Sequence, residues 1–383
     1  MQFAFTEEQH QYRDIVARFC REQSPSTRVR AQMASEAGFD RELWKQLCGD
    51  LGMSGVHVPE ALGGHGYGAV ELGIASEEMG RVNFCGPYFS SCVLASYALL
   101  NGATPRQQAE WLPQLCSGAV IASLALAETG GSWHPGTVTA TAVERDGHWR
   151  IDGIKSYVLD GHVADLFIVA ARRPGSQGLE GLSLFAVPAT ARGLSAHPLK
   201  TIDTTRRLSR VEFNGVQASL LGEAETAAAG LLRTLDQATI ALASEMVGGA
   251  QALLDSTVAY AKLRVQFGRV IGSFQAIKHR LADLLLELEF ARSAAYRACE
   301  LAAEDPLPLR EAAAMAKALA SDAFMLAARE AVQLHGGIGF TWEHDTHLYF
   351  KRAQGSSVLL GSAAEHRDRY VLSLAARAAG DRL

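Results

Sequence analysis

The stretch Tyr260-Ala-Lys-Leu-Arg264-Val-Gln266-Phe267-Gly268-Arg269-Val-Ile-Gly272-Ser-Phe274-Gln275-Ala-Ile-Lys278-His279-Arg280-Leu-Ala-Asp283 decides how the chain is read. Its spacing predicts a helix ending near Arg264, a glycine-containing turn, and a second helix starting near Ser273. In that second helix Phe274, Ile277, Leu281, Leu284, Leu285 and Leu288 recur at the three–four spacing of one buried face. The turn carries Arg264, Gln266, Phe267, Gly268 and Arg269. Guanidinium pairs with phosphate through two hydrogen bonds, glycine lets backbone approach, and phenylalanine covers a flat ring. The corner therefore suits an anionic ligand with an aromatic part. A solvated interhelical turn with incidental arginines is the alternative.

Outward from this corner, the chain has 383 residues, room for two or three domains with ample core. A hydrophobic content of 48% with 20% charged residues is ordinary for a globular protein. A net charge of −5 argues against a nucleic-acid surface. The opening Met1-Gln-Phe-Ala-Phe-Thr6-Glu7-Glu8 lacks the basic-then-apolar form of a signal peptide. No apolar run approaches the roughly 18–20 residues that cross a bilayer, so a cytoplasmic location is expected. Cys20, Cys48, Cys85, Cys92, Cys116 and Cys299 form no Cys-x-x-Cys pair and read as reduced, buried thiols.

Residues 1–118 read as an all-α domain. Thr6 with Gln9 opens one helix as a capping box, Asp40 caps a second, and Thr104-Pro105 opens the last. Val58-Pro59-Glu60-Ala-Leu-Gly63-Gly64-His65-Gly66 is a tight loop with the wrong glycine spacing for a dinucleotide fingerprint. Composition changes near 118. Between 119 and 222, short β-rich runs separated by Asp146-Gly147, Asp152-Gly153, Pro174-Gly175 and Asn214-Gly215 predict a middle antiparallel β-barrel or sandwich. From 223 to 383, long helices at roughly 225–264, 273–303, 307–335 and 356–378 predict a C-terminal four-helix bundle.

A second segment, Gln333-Leu-His335-Gly336-Gly337-Ile-Gly339-Phe340, follows the first at the far end of the bundle. Together the two closely resemble the C-terminal domain of the acyl-CoA dehydrogenase family, and the order of helical, β and helical domains agrees. The resemblance implies FAD, its pyrophosphate and adenosine held by such segments from neighbouring subunits. In this chain the matching positions are Arg264, Phe267, Gln275, Gln333, Gly336 and Gly337. It also implies an acyl-CoA substrate, abstraction of the α proton by a glutamate, β-hydride transfer to flavin giving a 2-enoyl-CoA, and an electron-transfer flavoprotein as acceptor. The form Gly337-Ile-Gly339-Phe340-Thr-Trp342-Glu343-His344 resembles a bacterial branch that includes steroid and other bulky acyl-CoA dehydrogenases, some of them α2β2 pairs of homologous chains. A homodimer or homotetramer is the other assembly it implies.

Two departures from the family stand out. The usual glutamate positions align with Leu360, before Gly361-Ser362, and with Ala238. Glu245 is the remaining candidate base. It stands alone in an apolar run, with Ala241, Leu242, Gly248 and Gly249 one turn away and no cation within reach on its own helix. A carboxylate desolvated there would have the raised pKa a base needs. The alternative is a structural glutamate pairing with an arginine on another helix. Gly248 and Gly249 either make room for a bulky acyl group or serve close helix packing.

The second departure lies in the β domain. Ala127-Glu128-Thr129-Gly130-Gly131-Ser132 and Tyr157-Val158-Leu159 replace family segments whose threonines address the flavin. At Ala127 and Leu159 only backbone is left for that task, with Ser132 and Tyr157 beside them. His335, His344 and His347 lack a metal-site pattern and read as packed or surface residues, so no metal is expected. The resulting expectation is a flavin-dependent acyl-CoA dehydrogenase using Glu245. Its rival is a non-catalytic or partly catalytic subunit of a heteromeric one.

Overall fold

The computed structural model describes residues 5–302 and 306–378. The first four residues, part of the stretch read for a signal peptide, lie outside them. A helical N-terminal part, a β-rich middle part and a helical C-terminal part follow one another. The N-terminal helices are α1 (Glu7–Gln23), α2 (Ser26–Ala34), α3 (Arg41–Lys45), α4 (Ala69–Arg81), α5 (Ser96–Gly102) and α6 (Pro105–Cys116). Thr6 and Thr104 each form a full capping box, and Asp40 accepts the N–H groups of Glu42 and Leu43. A π-helical turn, Tyr88–Ala95, leads into α5; such wide turns are uncommon and often functional.

Seven strands follow: β1 (Ala122–Ala125), β2 (Thr141–Arg145), β3 (His148–Leu159), β4 (Leu166–Arg172), β5 (Leu182–Pro188), β6 (Leu194–Pro198) and β7 (Leu208–Leu221). Pairings run β4–β2–β3–β7–β5 and return from β5 to β4, with β1 on β4 and β6 on β7. The expected all-antiparallel pattern needs correction: β1 pairs with β4 in parallel, and β2 meets β4 in parallel at Thr141 and Arg172. Beta1 escaped the sequence reading because all four of its residues are buried, which erases the alternation that marks a half-exposed strand. Phe167, Phe185, Phe213, Ile151 and Val211 belong to one core cluster within the sheet. On β3 an extra residue opens a bulge between Lys155 and Val158, where Tyr157 takes a left-handed φ of 58°.

The C-terminal helices are α7 (Ala227–Leu263), α8 (Gln275–Leu301), α9 (Pro306–His335), α10 (Thr346–Val358) and α11 (Ala363–Ala378). A hairpin of β8 (Val265–Gln266) and β9 (Arg269–Val270) joins α7 to α8. The expected fourth bundle helix is two helices, α10 beginning ten residues early. They part at Leu360 and Gly361, whose φ values of 58° and 105° no α-helix accepts.

Compactness divides the chain differently from composition. One unit comprises Met1–Ala31, Ala69–Phe84 and Thr239–Leu383; the other comprises Gln32–Gly68 and Cys85–Ala238. The break falls within α7, so a single helix belongs to both.

Candidate active site

In the helical unit, the two sequence motifs lie side by side. The Tyr260 ring stacks on His335 with centroids 4.4 Å apart, and His335 also meets the His344 ring at 4.5 Å. The end of α7, which leads to Arg264, is thereby fixed against the end of α9, which leads to Gly336 and Gly337. Arg264 caps the hairpin from below: its N–H donates to the Tyr260 carbonyl, and its own carbonyl accepts from Ile271.

The hairpin turns on two residues, Phe267 and Gly268, with φ of 52° and 78°. Positive φ at both centres matches the twist of a tight hairpin and normally selects Asn-Gly. Phenylalanine there is strained, and its ring is 91% exposed. It meets Phe274 edge-on at 6.2 Å, while the Arg269 guanidinium lies 4.1 Å above the Phe274 ring. Phe274 is the N-cap of α8 and no side chain caps that end, so Gln275 begins a helix with its positive pole uncovered. Gln275 and Gln333 are exposed, and a Cβ on Gly336 or Gly337 would meet no atom within 4 Å. Guanidinium, an open helix N-terminus, bare glycine backbone and an exposed ring form a donor set that suits a dinucleotide with a pyrophosphate.

Glu245 is placed otherwise than expected. Arg352 on α10 donates to its Oε1 at 2.9 Å, and only 11% of the Glu245 side chain is exposed. The same guanidinium donates to the Phe84 carbonyl at 3.1 Å. No cation lies within reach on its own helix, as expected; the pairing is the alternative, an arginine from another helix, 107 residues later. The ion pair engages Oε1 and favours the charged carboxylate, against the raised pKa expected of a desolvated base. Nor do the adjoining glycines leave space for an acyl group. A Cβ on Gly248 would strike the Glu77 carbonyl, one on Gly80 the Glu245 carbonyl, and one on Gly249 the Phe324 ring. The glycines serve a close crossing of α4 and α7. Leu360 and Ala238, at the family's two glutamate positions, are buried.

The β-rich unit holds the other predicted residues. An open cleft of about 440 Å³ is lined by residues 128–132, Thr137, Thr139, Gly153 and Ile154. Ser132 and Tyr157 are exposed; the Tyr157 ring lies 3.8 Å from where a Gly131 Cβ would stand. Ala127 and Leu159 are buried, and their carbonyls already accept from the Ser156 N–H at 2.9 Å and the Ser123 hydroxyl at 2.6 Å.

Beneath the loop lies a residue that sequence reasoning missed. Lys155 is fully buried and donates to Glu128 Oε1 at 2.8 Å and to the Leu126 carbonyl at 3.1 Å. Burial pushes its ammonium down to about 8, with Glu128 pulling the other way. Burial also works against the Glu128 charge, but Lys155 and donors from Thr139 and Ala140 outweigh it, holding that carboxyl below its usual range. A signal was present. Strand alternation from Ile151 puts Lys155 inward and Ile154 outward, the reverse of ordinary amphipathic order.

Domain families described as acyl-CoA dehydrogenase N-terminal, middle and C-terminal domains match residues 6–119, 123–216 and 230–372. Acyl-CoA dehydrogenase IpdE2 of Mycobacterium tuberculosis is 38% identical over 94% of this chain and 95% of its own length. A variant of the Tcur3481-Tcur3483 steroid ACAD superposes with a TM-score of 0.87 at 32% identity, over 97% of this chain and 99% of that one. The ChsE4-ChsE5 complex from Mycobacterium tuberculosis gives 0.87 at 30% identity, over 98% and 99%.

Proposed function

This chain belongs to the acyl-CoA dehydrogenase family of FAD-dependent oxidoreductases, and from that premise we propose that it oxidises a bulky, steroid-type acyl-CoA as half of a heteromer whose homologous partner contributes the proton-abstracting carboxylate. One observation carries this reading. Both usual glutamate positions are apolar, at Leu360 and Ala238, and the remaining candidate, Glu245, is clasped by Arg352. Two of the similar solved structures bear the names of paired chains, Tcur3481-Tcur3483 and ChsE4-ChsE5.

FAD, when bound, supplies the two-electron acceptance that makes the 2,3-double bond. Arg264, Gln275 and the N-terminus of α8 would hold the pyrophosphate, and Phe267, Gln333, Gly336 and Gly337 the adenosine end. Ser132 and Tyr157 would orient the ring, with backbone N–H groups near Ala127 and Leu159 in place of the lost hydroxyls. The electrons would leave to an electron-transfer flavoprotein. Among the described residues no helix is long and apolar enough to cross a membrane.

The test is an anaerobic titration with a steroid side-chain CoA thioester. The purified chain is expected to be yellow and to keep its colour alone, bleaching only when co-purified with its homologous partner. Leu360→Glu should let the chain bleach slowly by itself. Full-rate bleaching by the lone chain, abolished by Glu245→Gln, would return the base to Glu245 and end the heteromer reading.

A further inference from the structure

Lys155 is among the large, fully buried side chains of the described residues, and it carries an ammonium. Taking an ammonium out of water costs several kcal/mol unless it is paired and hydrogen-bonded, and a hydrophobic residue of similar size packs as well or better. Packing alone therefore does not account for it. What it holds does. Its ammonium joins the Leu126 carbonyl to the Glu128 carboxylate. Glu128 in turn accepts the N–H groups of Thr139 and Ala140 and the Thr139 hydroxyl. One charge pair thus ties three separate places, the end of β1, the entry to β2 and the middle of β3. They are the roots of the segment that carries Ser132.

Within the loop the Gly131 N–H donates to the Glu128 carbonyl at 2.8 Å and the Ser132 hydroxyl accepts from the His134 N–H at 3.2 Å. Gly130 would meet no atom with a Cβ, and Gly131 turns at a φ of 77°. On the other side of Lys155 lies the bulge with Tyr157, and there the Ser156 N–H donates to the Ala127 carbonyl. The Lys155 ammonium and the adjoining Ser156–Ala127 bond thus tie the loop to the strand that carries Tyr157.

We infer that Lys155 is a positioning residue, acting through Glu128 to hold the 127–132 loop and the Tyr157 bulge in the shape that receives the flavin ring. The inference rests on the reading that this loop and Tyr157 face the flavin. It explains how the site tolerates alanine and leucine where hydroxyls are lost, since backbone donors orient a ligand only when the backbone is fixed.

The full-length holoprotein tests it. Lys155→Met leaves the Glu128 charge without its cation, so that variant is compared with the neutral pair Lys155→Met/Glu128→Gln, which strands no charge. The double variant is expected to regain most of the thermal stability lost by the single one. Its FAD dissociation constant should stay raised on the order of tenfold, a loss of about 1.4 kcal/mol, and the resolved shoulder of its flavin absorbance band should blur. Lys155→Gln, which keeps an N–H donor, should fall between it and the unaltered protein. A double variant with normal stability, FAD affinity and spectrum would overturn the inference, leaving the pair a packing feature. Tyr157→Ala separates the two levels. If it shifts the flavin spectrum and the Lys155 variants do not, only the positioning role fails; if it shifts nothing, the placement of the flavin fails and the inference with it.

Discussion

Glu128 and Glu245 are two largely submerged carboxylates that look alike in sequence and differ in place. Each stands among small or apolar neighbours, and each is held by a cation from a distant segment, Lys155 and Arg352. Glu128 borders an open cleft and collects donors from the backbone around it. Glu245 lies where α4 and α7 cross so closely that only glycine fits, at Gly80 and Gly248. A lone acid in an apolar run thus signals a partner elsewhere in the fold, not chemistry. What tells a site from a scaffold is whether the pair faces an opening.

Arg352→Met breaks the comparison most severely. Removing one member of a submerged ion pair costs roughly 3–5 kcal/mol, and here it also frees the Phe84 carbonyl. A large drop in the denaturation midpoint is expected, with flavin affinity per folded molecule unchanged. A loss of flavin affinity without a loss of stability would make the Glu245 pair part of the site after all.

Each unit also carries a submerged neutral histidine, His57 in one and His366 in the other. Burial pushes both down to about 4, aided at His366 by Arg369 and Lys317. The unfolded chain binds these protons from about pH 6.5 downward, so the stability they provide is complete above that and is lost as pH falls through 4. About 3 kcal/mol each is at stake. On the alkaline side, burial raises Cys48 to about 12 and Cys116 to about 11, and the unfolded thiols ionise first, so stability falls above pH 9. Urea titrations across pH should show a plateau between roughly 6.5 and 9; a maximum near pH 5 would contradict the histidine assignment.

Smaller still is the crossing itself. Gly248→Ala drives a methyl into a backbone carbonyl, which cannot swing aside, and is expected to cost about 1–3 kcal/mol. Gly249→Ala meets only the edge of the Phe324 ring and should cost less. Equal costs would mean that the two helices slide apart easily.

The architecture was legible because its signals are local. Capping boxes at Thr6 and Thr104, the Asp40 cap and the periodic stripe after Phe274 each need only a few neighbouring residues. What escaped depends on partners far along the chain. No window around Glu245 contains Arg352, and none around Glu128 contains Lys155. The parallel pairing of β1 with β4 is equally nonlocal, and Ala122–Ala125 is buried throughout, so no alternation marked it. Leu360 illustrates a third kind of miss: a leucine gives no warning of a left-handed φ, so one expected helix became two.

The smallest stability effect belongs to the most exposed large apolar side chain among the described residues. Phe267 presents 91% of its surface to solvent and holds a φ of 52° that glycine would adopt without strain. Phe267→Ala should change stability by less than about 0.5 kcal/mol. Phe267→Gly should match or slightly exceed the unaltered protein, because relieving a left-handed non-glycine residue returns on the order of 1 kcal/mol. Apart from its edge-on contact with Phe274 the ring packs on little, and the proposed site gives it a use in what it would touch when FAD is bound. Both substitutions are therefore expected to weaken FAD binding while the denaturation curve stays in place. If FAD binds Phe267→Gly as tightly as before, this ring is no part of the cofactor site, and the hairpin between α7 and α8 is a turn and nothing more.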